Sequence, residues 1–277
     1  MAASPYSRAN VGRVRPLLDR QGIRAHITCR AAPDRLPNAG KDVDAIGPTL
    51  PVNRLLGALP ASDRRRLLAA CEMVELGFAD VLYAPNDRID HVYFPTRSFI
   101  SLIMPVDDCA SLEVGLVGNE GMFGIPVALG VNVSPVLAIV QGAGAALRIG
   151  APIFRRELGR SHLLQREIGR YVVVRLAQLA RTAACTRFHV VEARLARWLL
   201  MTQDRAHADT FHITQELLAF MLGVRRVGIT NAASSLQKRN LIHYSRGNIT
   251  VLDRRGLKAA SCGCYGEDRK SYRRTFD

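Results

Sequence analysis

A chain of 277 residues that is 48% hydrophobic and 6% aromatic has enough apolar material to build one large core or two smaller ones. Its formal net charge of +14 is unevenly spread: residues 151–277 carry 23 Lys and Arg against 10 Asp and Glu, whereas residues 51–150 carry 7 against 10. No apolar run approaches the ~18 residues of a membrane span, no apolar signal segment follows the basic N-terminus, and six scattered cysteines without a CxxC pair do not read as a disulfide framework. The expectation is a cytoplasmic protein without membrane association, with a polyanionic partner for its basic half.

Residues 1–50 are rich in Arg, Pro, Gly and Ala without a sustained period, and are expected to be a disordered basic tail. A start site placed upstream of the native one would give such a segment too. Next come Leu55, Leu56 and Leu59, then Ser62 or Asp63 as the cap of a second short helix carrying Leu67, Leu68 and Cys71. The period then falls to two. "MVEL", "DVLYA", "HVYFP", "FISLIM", "SLEVGLVG", "VLAIVQ" and "AALRI" are short β-rich runs separated by turn residues such as Pro85-Asn86-Asp87 and Gly118-Asn119. Seven such runs predict a roll or sandwich over residues 51–150.

From Pro152 the period becomes helical. Leu164, Ile168, Tyr171, Leu179 and Thr182, with Val172 and Leu176 alongside, keep a 3–4 spacing for about five turns. The spacing predicts one long helix within 151–188, with that stripe as the seam of a homodimer. A helix lying on the roll is the other reading, and each side of the helix could serve one role.

Residues 189–277 begin with an amphipathic helix bearing Val191, Leu195, Trp198 and Leu199, then a loop and short strand at "HADTFHI". Thr214 is a good N-cap for a helix over Gln215 to Leu222, and Gly223 is placed to end it. A second helix from about Arg225 to Lys238 puts Ile229, Ala232, Ala233 and Leu236 on one face and Arg226, Val227, Thr230, Asn231 and Ser234 on the other. Two helices joined by a tight glycine turn make a helix-turn-helix. A guanidinium and a carboxamide match the major-groove edges of guanine and adenine, and a valine can meet a thymine methyl. Thr214, Arg225, Thr230 and the helix N-terminus can hold phosphates. The run "NLIHYSRGNITVLD" then alternates about Arg246-Gly247-Asn248, the pattern of a hairpin wing with Arg246 at its tip.

This order of parts resembles the Crp/Fnr family of bacterial transcription regulators, over about residues 51–260. It is most specific in "ITQELLAFMLGVRRVGITNAASSLQKRNLIHYSRGNITVLD", while "NDRIDHVYFP" and "VGLVGNEGMFGIPVALG" look like the family's β-roll. The resemblance implies an α+β fold: an N-terminal, jelly-roll-like sensor roll, a long dimerisation helix and a C-terminal winged helix-turn-helix. It also implies a homodimer on a two-fold operator of double-stranded DNA, with half-sites about 34 Å apart. RNA polymerase is a further candidate partner, and the effector is left open.

The departures sharpen the expectation. Where cyclic-nucleotide-binding members have a Phe-Gly-Glu turn, this chain has Phe123-Gly124-Ile125, and near the place of their Arg-Ser/Thr pair it has Ser134-Pro135. No arginine lies between Arg97 and Arg148, and a phosphate buried without a cation is costly, so control by cyclic AMP is not expected. Glu120 is the nearby acid. Only Cys29 precedes Cys71, which does not match the N-terminal cysteine cluster of the oxygen-sensing branch. On the second helix Arg226 is retained, but Val227 replaces the family's usual glutamate and Asn231 its later arginine, so a different operator is expected.

No cofactor and no metal site are expected. Cys262 and Cys264 form one close pair without a second, short of a zinc pattern, and read as ordinary thiols in a solvent-exposed tail. Asp204, His207, Asp209 and His212 read as a polar loop. None of the hydrolase, P-loop, zincin or dinucleotide motifs occurs, so an enzyme is not expected. The competing reading is a small-molecule sensor or receptor subunit that signals through protein contacts, with the basic half as a docking surface.

Overall fold

A computed structural model of the chain describes residues 53–107 and 110–276. The expected disordered tail, with His26 and Cys29, and also Cys109, lie outside the described residues.

Two short helices open the fold, α1 (Arg54–Gly57) and α2 (Ala61–Ala69). Asn53 caps the first: its side-chain oxygen accepts from the Leu56 N–H at 3.3 Å, and its amide donates to the carbonyls of Pro95 and Gly121 at 2.9 and 2.7 Å. The cap thus also fastens the helix to the roll. All seven expected strands form: β1 (Glu72–Leu76), β2 (Val81–Tyr83), β3 (His91–Pro95), β4 (Phe99–Asp107), β5 (Ala110–Val117), β6 (Leu137–Gly142) and β7 (Gly144–Gly150). A one-turn helix, α3 (Ile125–Ala128), interrupts them. The strands make two antiparallel sheets, β1-β7-β3 and β2-β6-β4-β5. The sheets share one apolar core that includes Leu76, Val92, Phe94, Ile100, Val117, Val140 and Ile149. Leu55, Leu56 and Leu67 from the opening helices join it. The fold is α+β, with a β-roll at its N-terminal end.

The helical stretch after the roll is two helices rather than one, α4 (Ala151–Arg160) and α5 (His162–Phe188). The break is at Ser161, in extended conformation (φ −131°, ψ 103°). Its hydroxyl accepts from the Leu164 N–H at 3.1 Å and donates to Asp63 at 2.5 Å. A serine that caps a new helix and bonds a neighbouring one holds the chain out of the helical register. The 27 residues of α5 span about 40 Å.

The face of α5 turned toward the roll is the one assigned above to the seam. Leu164, Ile168 and Tyr171 are buried in the roll's core. The Tyr171 hydroxyl donates to the Met122 carbonyl at 3.4 Å, and Arg175 donates to the Leu116 carbonyl at 3.0 Å. Glycines permit this approach: a Cβ on Gly121 would lie 2.1 Å from the Tyr171 hydroxyl, and one on Gly115 2.1 Å from the Arg175 guanidinium. Thr182 is half-buried against the chain's own next helix, 3.4 Å from Arg197. Of the five expected seam residues only Leu179 stays exposed, on a stripe with Val173, Leu176, Ala180 and Ala183. The 3–4 spacing was shared by two faces, and the roll covers the larger side chains.

After α5 come α6 (Val191–Ala206), β8 (Thr210–His212), α7 (Gln215–Leu222), α8 (Arg226–Lys238), β9 (Ile242–Ser245), β10 (Asn248–Val251), α9 (Arg254–Ala260) and α10 (Cys264–Phe276). Leu195, Leu199, Leu218, Ile229, Leu236, Ile249, Leu257 and Tyr265 form a second core. The segment read as a solvent-exposed tail is helical. It packs on α5 and α6, with Cys262, Tyr265 and Asp268 buried. No helix among the described residues is long and apolar enough to cross a membrane.

Candidate nucleic-acid interface

The helix-turn-helix is built by local chemistry at each joint. Thr214 caps α7, its hydroxyl oxygen accepting from the Leu217 N–H at 3.1 Å. Gly223 ends that helix in the left-handed region (φ 60°, ψ 45°), where glycine carries no Cβ penalty. Arg225 is extended and serves as the N-cap residue of α8 without a side-chain cap.

The faces of α8 divide as the sequence implies. Ile229, Ala232, Ala233 and Leu236 are buried, and the full burial of Ile229 and Leu236 stabilises the domain by about 1.5–3 kcal/mol each. Arg225, Arg226, Val227, Asn231 and Ser234 are exposed. Val227 keeps 62% of its surface in water, which a valine on a monomer's surface gains nothing from. Arg226 forms a 2.8 Å ion pair with Glu216, both side chains mostly exposed. Such a pair contributes less than about 1 kcal/mol and opens readily. Thr230 differs from its neighbours. It is half-buried, 2.7 Å from the Gln215 side-chain oxygen and 3.2 Å from the Arg226 carbonyl, so its hydroxyl joins the two helices.

The wing is the sheet β8-β10-β9. Its tip has a two-residue turn, Arg246-Gly247, with φ of 52° and 82°. Positive φ at both central residues is the type I′ geometry that matches strand twist. The turn leaves Arg246 exposed at the tip. The Tyr244 hydroxyl ties the hairpin to the Ile213 carbonyl at 2.8 Å, and burial pushes its phenol up to about 12.

The helix-turn-helix also leans on the roll. Met221 packs with Ile103, Leu137 and Ile139, and the Ser111 hydroxyl donates to the Phe220 carbonyl at 2.8 Å. Two acids of the roll face this boundary. Glu113 is buried, accepting from Ser101 at 2.6 Å and from the Trp198 indole at 3.1 Å. Burial pushes its carboxyl up to about 7, against the two hydrogen bonds that oppose it. Glu120 is paired with Arg205 of α6 at 2.5 Å. Burial works against its charge as well, but Arg205 prevails and holds the carboxyl below its ordinary value. The acid near the Phe123-Gly124-Ile125 turn is thus already bound within the chain.

Of the four residues that read as a polar loop, Asp204 lies in α6 and His212 in β8; Asp204 pairs with Arg254 and accepts from Tyr265, Asp209 accepts from Gln203, and His212 bonds Asn248. Among the described residues, a cluster of metal-ligating side chains lies elsewhere. Cys185, His189, Cys262 and Cys264 bring one ligand atom each within 4.8 Å of one another. Sequence reading missed it because its two halves are 77 residues apart between Cys185 and Cys262. The Cys262-x-Cys264 pair was the available signal.

Residues 193–260 match the family model of the Crp-like helix-turn-helix domain. Solved structures share the fold over most of the chain. A Crp/Fnr-family regulator from Eubacterium rectale aligns at TM-score 0.60 and 16% identity, over 74% of this chain and 96% of its own. The c-di-GMP responsive global regulator CLP from Xanthomonas campestris aligns at 0.58 and 19%, over 70% of this chain and all of its own. A Crp/Fnr-family regulator from Thermus thermophilus aligns at 0.53 and 22%, over 69% and 98%. No curated protein sequence matches the chain significantly. The Crp/Fnr resemblance read from the sequence is borne out by sequence over the C-terminal domain and by fold over the rest.

Proposed function

We propose that this chain, carrying a Crp-like helix-turn-helix domain on a Crp/Fnr-type fold, is a sequence-specific DNA-binding transcription regulator that acts as a homodimer. The observation that carries the reading is the outer face of α8. Arg226, Val227, Asn231 and Ser234 stand exposed together on a helix whose other face is locked in the core, beside a wing tipped by Arg246. Arg226 reads guanine, Asn231 adenine, and Val227 a thymine methyl. Arg225, Arg246 and the Thr214 hydroxyl hold phosphates, while Thr230 braces the two helices.

The dimer forms along the stripe of Val173, Leu176, Leu179, Ala180 and Ala183, with the exposed Phe188 and Val190 at its end. Small and branched residues at this spacing suit two helices packed side by side. Cyclic AMP is not the effector, since no arginine lies between Arg97 and Arg148 and the nearby acid Glu120 is held by Arg205.

The test is selection on random duplexes with sequencing of the bound pool, followed by a salt titration. A palindromic motif, with affinity falling by a log–log slope of about −0.9 per phosphate contacted, is expected. Absence of duplex binding at low salt would leave the basic half as a protein-docking surface.

A further inference from the structure

We propose that Cys185, His189, Cys262 and Cys264 form a four-coordinate site for a zinc-type divalent ion, placed at the hinge between the long helix and the DNA-binding domain. Cys185 lies in the last turn of α5, and His189 is the extended residue that ends that helix (φ −109°, ψ 142°). Cys262 lies between α9 and α10, and Cys264 is the first residue of α10. The four therefore join the end of α5 to the start of α10.

The spacing fits a shared ion. The Cys185 and Cys262 sulfurs are 3.5 Å apart, and the Cys264 sulfur is 3.6 Å from His189 Nδ1. A disulfide would need about 2.05 Å. Zn–S bonds of about 2.3 Å and Zn–N bonds of about 2.0 Å at tetrahedral angles give ligand separations of about 3.5–3.8 Å. Three thiolates and one imidazole are a soft donor set that favours Zn²⁺ over the harder Mg²⁺ or Ca²⁺. With all four positions filled by protein the site is closed, so its role is structural or regulatory rather than catalytic.

The surroundings suit the charge. Zn²⁺ with three thiolates and a neutral imidazole carries one net negative charge. Arg197, buried beside the cluster and paired with Asp268 at 2.7 Å, supplies a compensating cation. Asp268 is held again by Arg181 at 2.6 Å, so the guanidinium beside the sulfurs is fixed from α5 and from α10. Zinc binding displaces the protons of whichever thiols are still protonated.

The site has a mechanical consequence that rests on the DNA-binding reading. Helix α5 hands over to α6 across Phe188–Val190, and an ion bound to Cys185 and His189 on one side and to Cys262 and Cys264 on the other staples α10 across that joint. The stapled domain keeps one orientation to the long helix. Without the ion the joint is held by packing and the Asp268 pairs.

The test uses the full reduced chain, refolded or purified with zinc, with metal counted by mass spectrometry after gel filtration. One zinc per chain is expected, and cobalt in its place should show the intense visible bands of a tetrahedral thiolate site. Cys262→Ser and Cys264→Ser should lose the ion. The milder His189→Ala, at an exposed position, removes one of the four ligands and should weaken binding, and His189→Cys should restore it. Failure of the reduced wild type to bind zinc or cobalt would overturn the site. So would a folded Cys185→Ser/Cys262→Ser chain, checked by circular dichroism, that binds as much metal as wild type. Metal content is read independently of duplex binding, so loss of the DNA reading leaves this result standing.

Discussion

The two acids at the roll's boundary and the bases of α8 and the wing are used in opposite ways. In the roll, Glu113, which is buried, and Glu120, which is half-buried, are turned toward the rest of the chain, one held by Ser101 and Trp198 and the other by Arg205. In the winged-helix domain, Arg225, Arg226 and Arg246 stand in water, with only an exposed glutamate beside one of them. Acids with internal partners build a joint. Bases without strong internal partners are free to meet an external polyanion. The net charges of the two halves, slightly acidic and strongly basic, reflect that division.

The comparison can be broken most severely at the joint. Arg205→Ala leaves the half-buried Glu120 without its cation, and stability is expected to fall by about 3 kcal/mol, the low end for breaking a buried pair, read as the midpoint of urea unfolding. An unchanged midpoint would mean that the pair is dispensable.

Glu113 gives the next effect, and its sign follows from the raised carboxyl. An acid titrating near 7 in the folded chain and near its ordinary 4.5 when unfolded is fully favourable to folding below about pH 4.5. That advantage is lost as pH rises toward 7 and does not change further above it. A shift of this size amounts to about 3 kcal/mol. Glu113→Gln should flatten the thermal stability profile between pH 4.5 and 7. Glu120, with its depressed carboxyl, acts in the other direction: its contribution is present at neutral pH and is lost as pH falls through its folded value. Identical profiles for wild type and Glu113→Gln would refute the first half.

On the exposed side the effects are smaller and fall on binding. Arg226→Ala should cost about 1–3 kcal/mol at the selected site and relax preference at one base pair. Arg246→Ala should weaken every sequence alike and reduce the salt slope by about one. Equal losses on all duplexes for both variants would take Arg226 out of the reading role. The exposed stripe of α5 is checked separately: Leu176→Glu should convert a dimer to a monomer by sedimentation, whereas Leu164→Ala, inside the roll, should reduce stability and leave the dimer.

Much of this architecture is written in local signals. The seven strand runs, the Thr214 cap, the Gly223 stop and the Arg246-Gly247 turn each depend on a few neighbouring residues, and each formed where the chain pattern placed it. The misread parts depend on partners. Ser161 breaks a helix because its hydroxyl finds Asp63, far away in the chain. The C-terminal segment folds because α5 and α6 offer it a surface.

The amino-acid order alone determined the kinds of element, their sequence and the two-faced character of α8, since periodicity, caps and turns act over a few residues. It did not determine which side of α5 meets the roll, because two helical stripes of similar spacing are equivalent until a surface covers one. Nor did it bring Cys185 and His189 to Cys262 and Cys264, since that convergence exists only once α10 has packed back along the long helix.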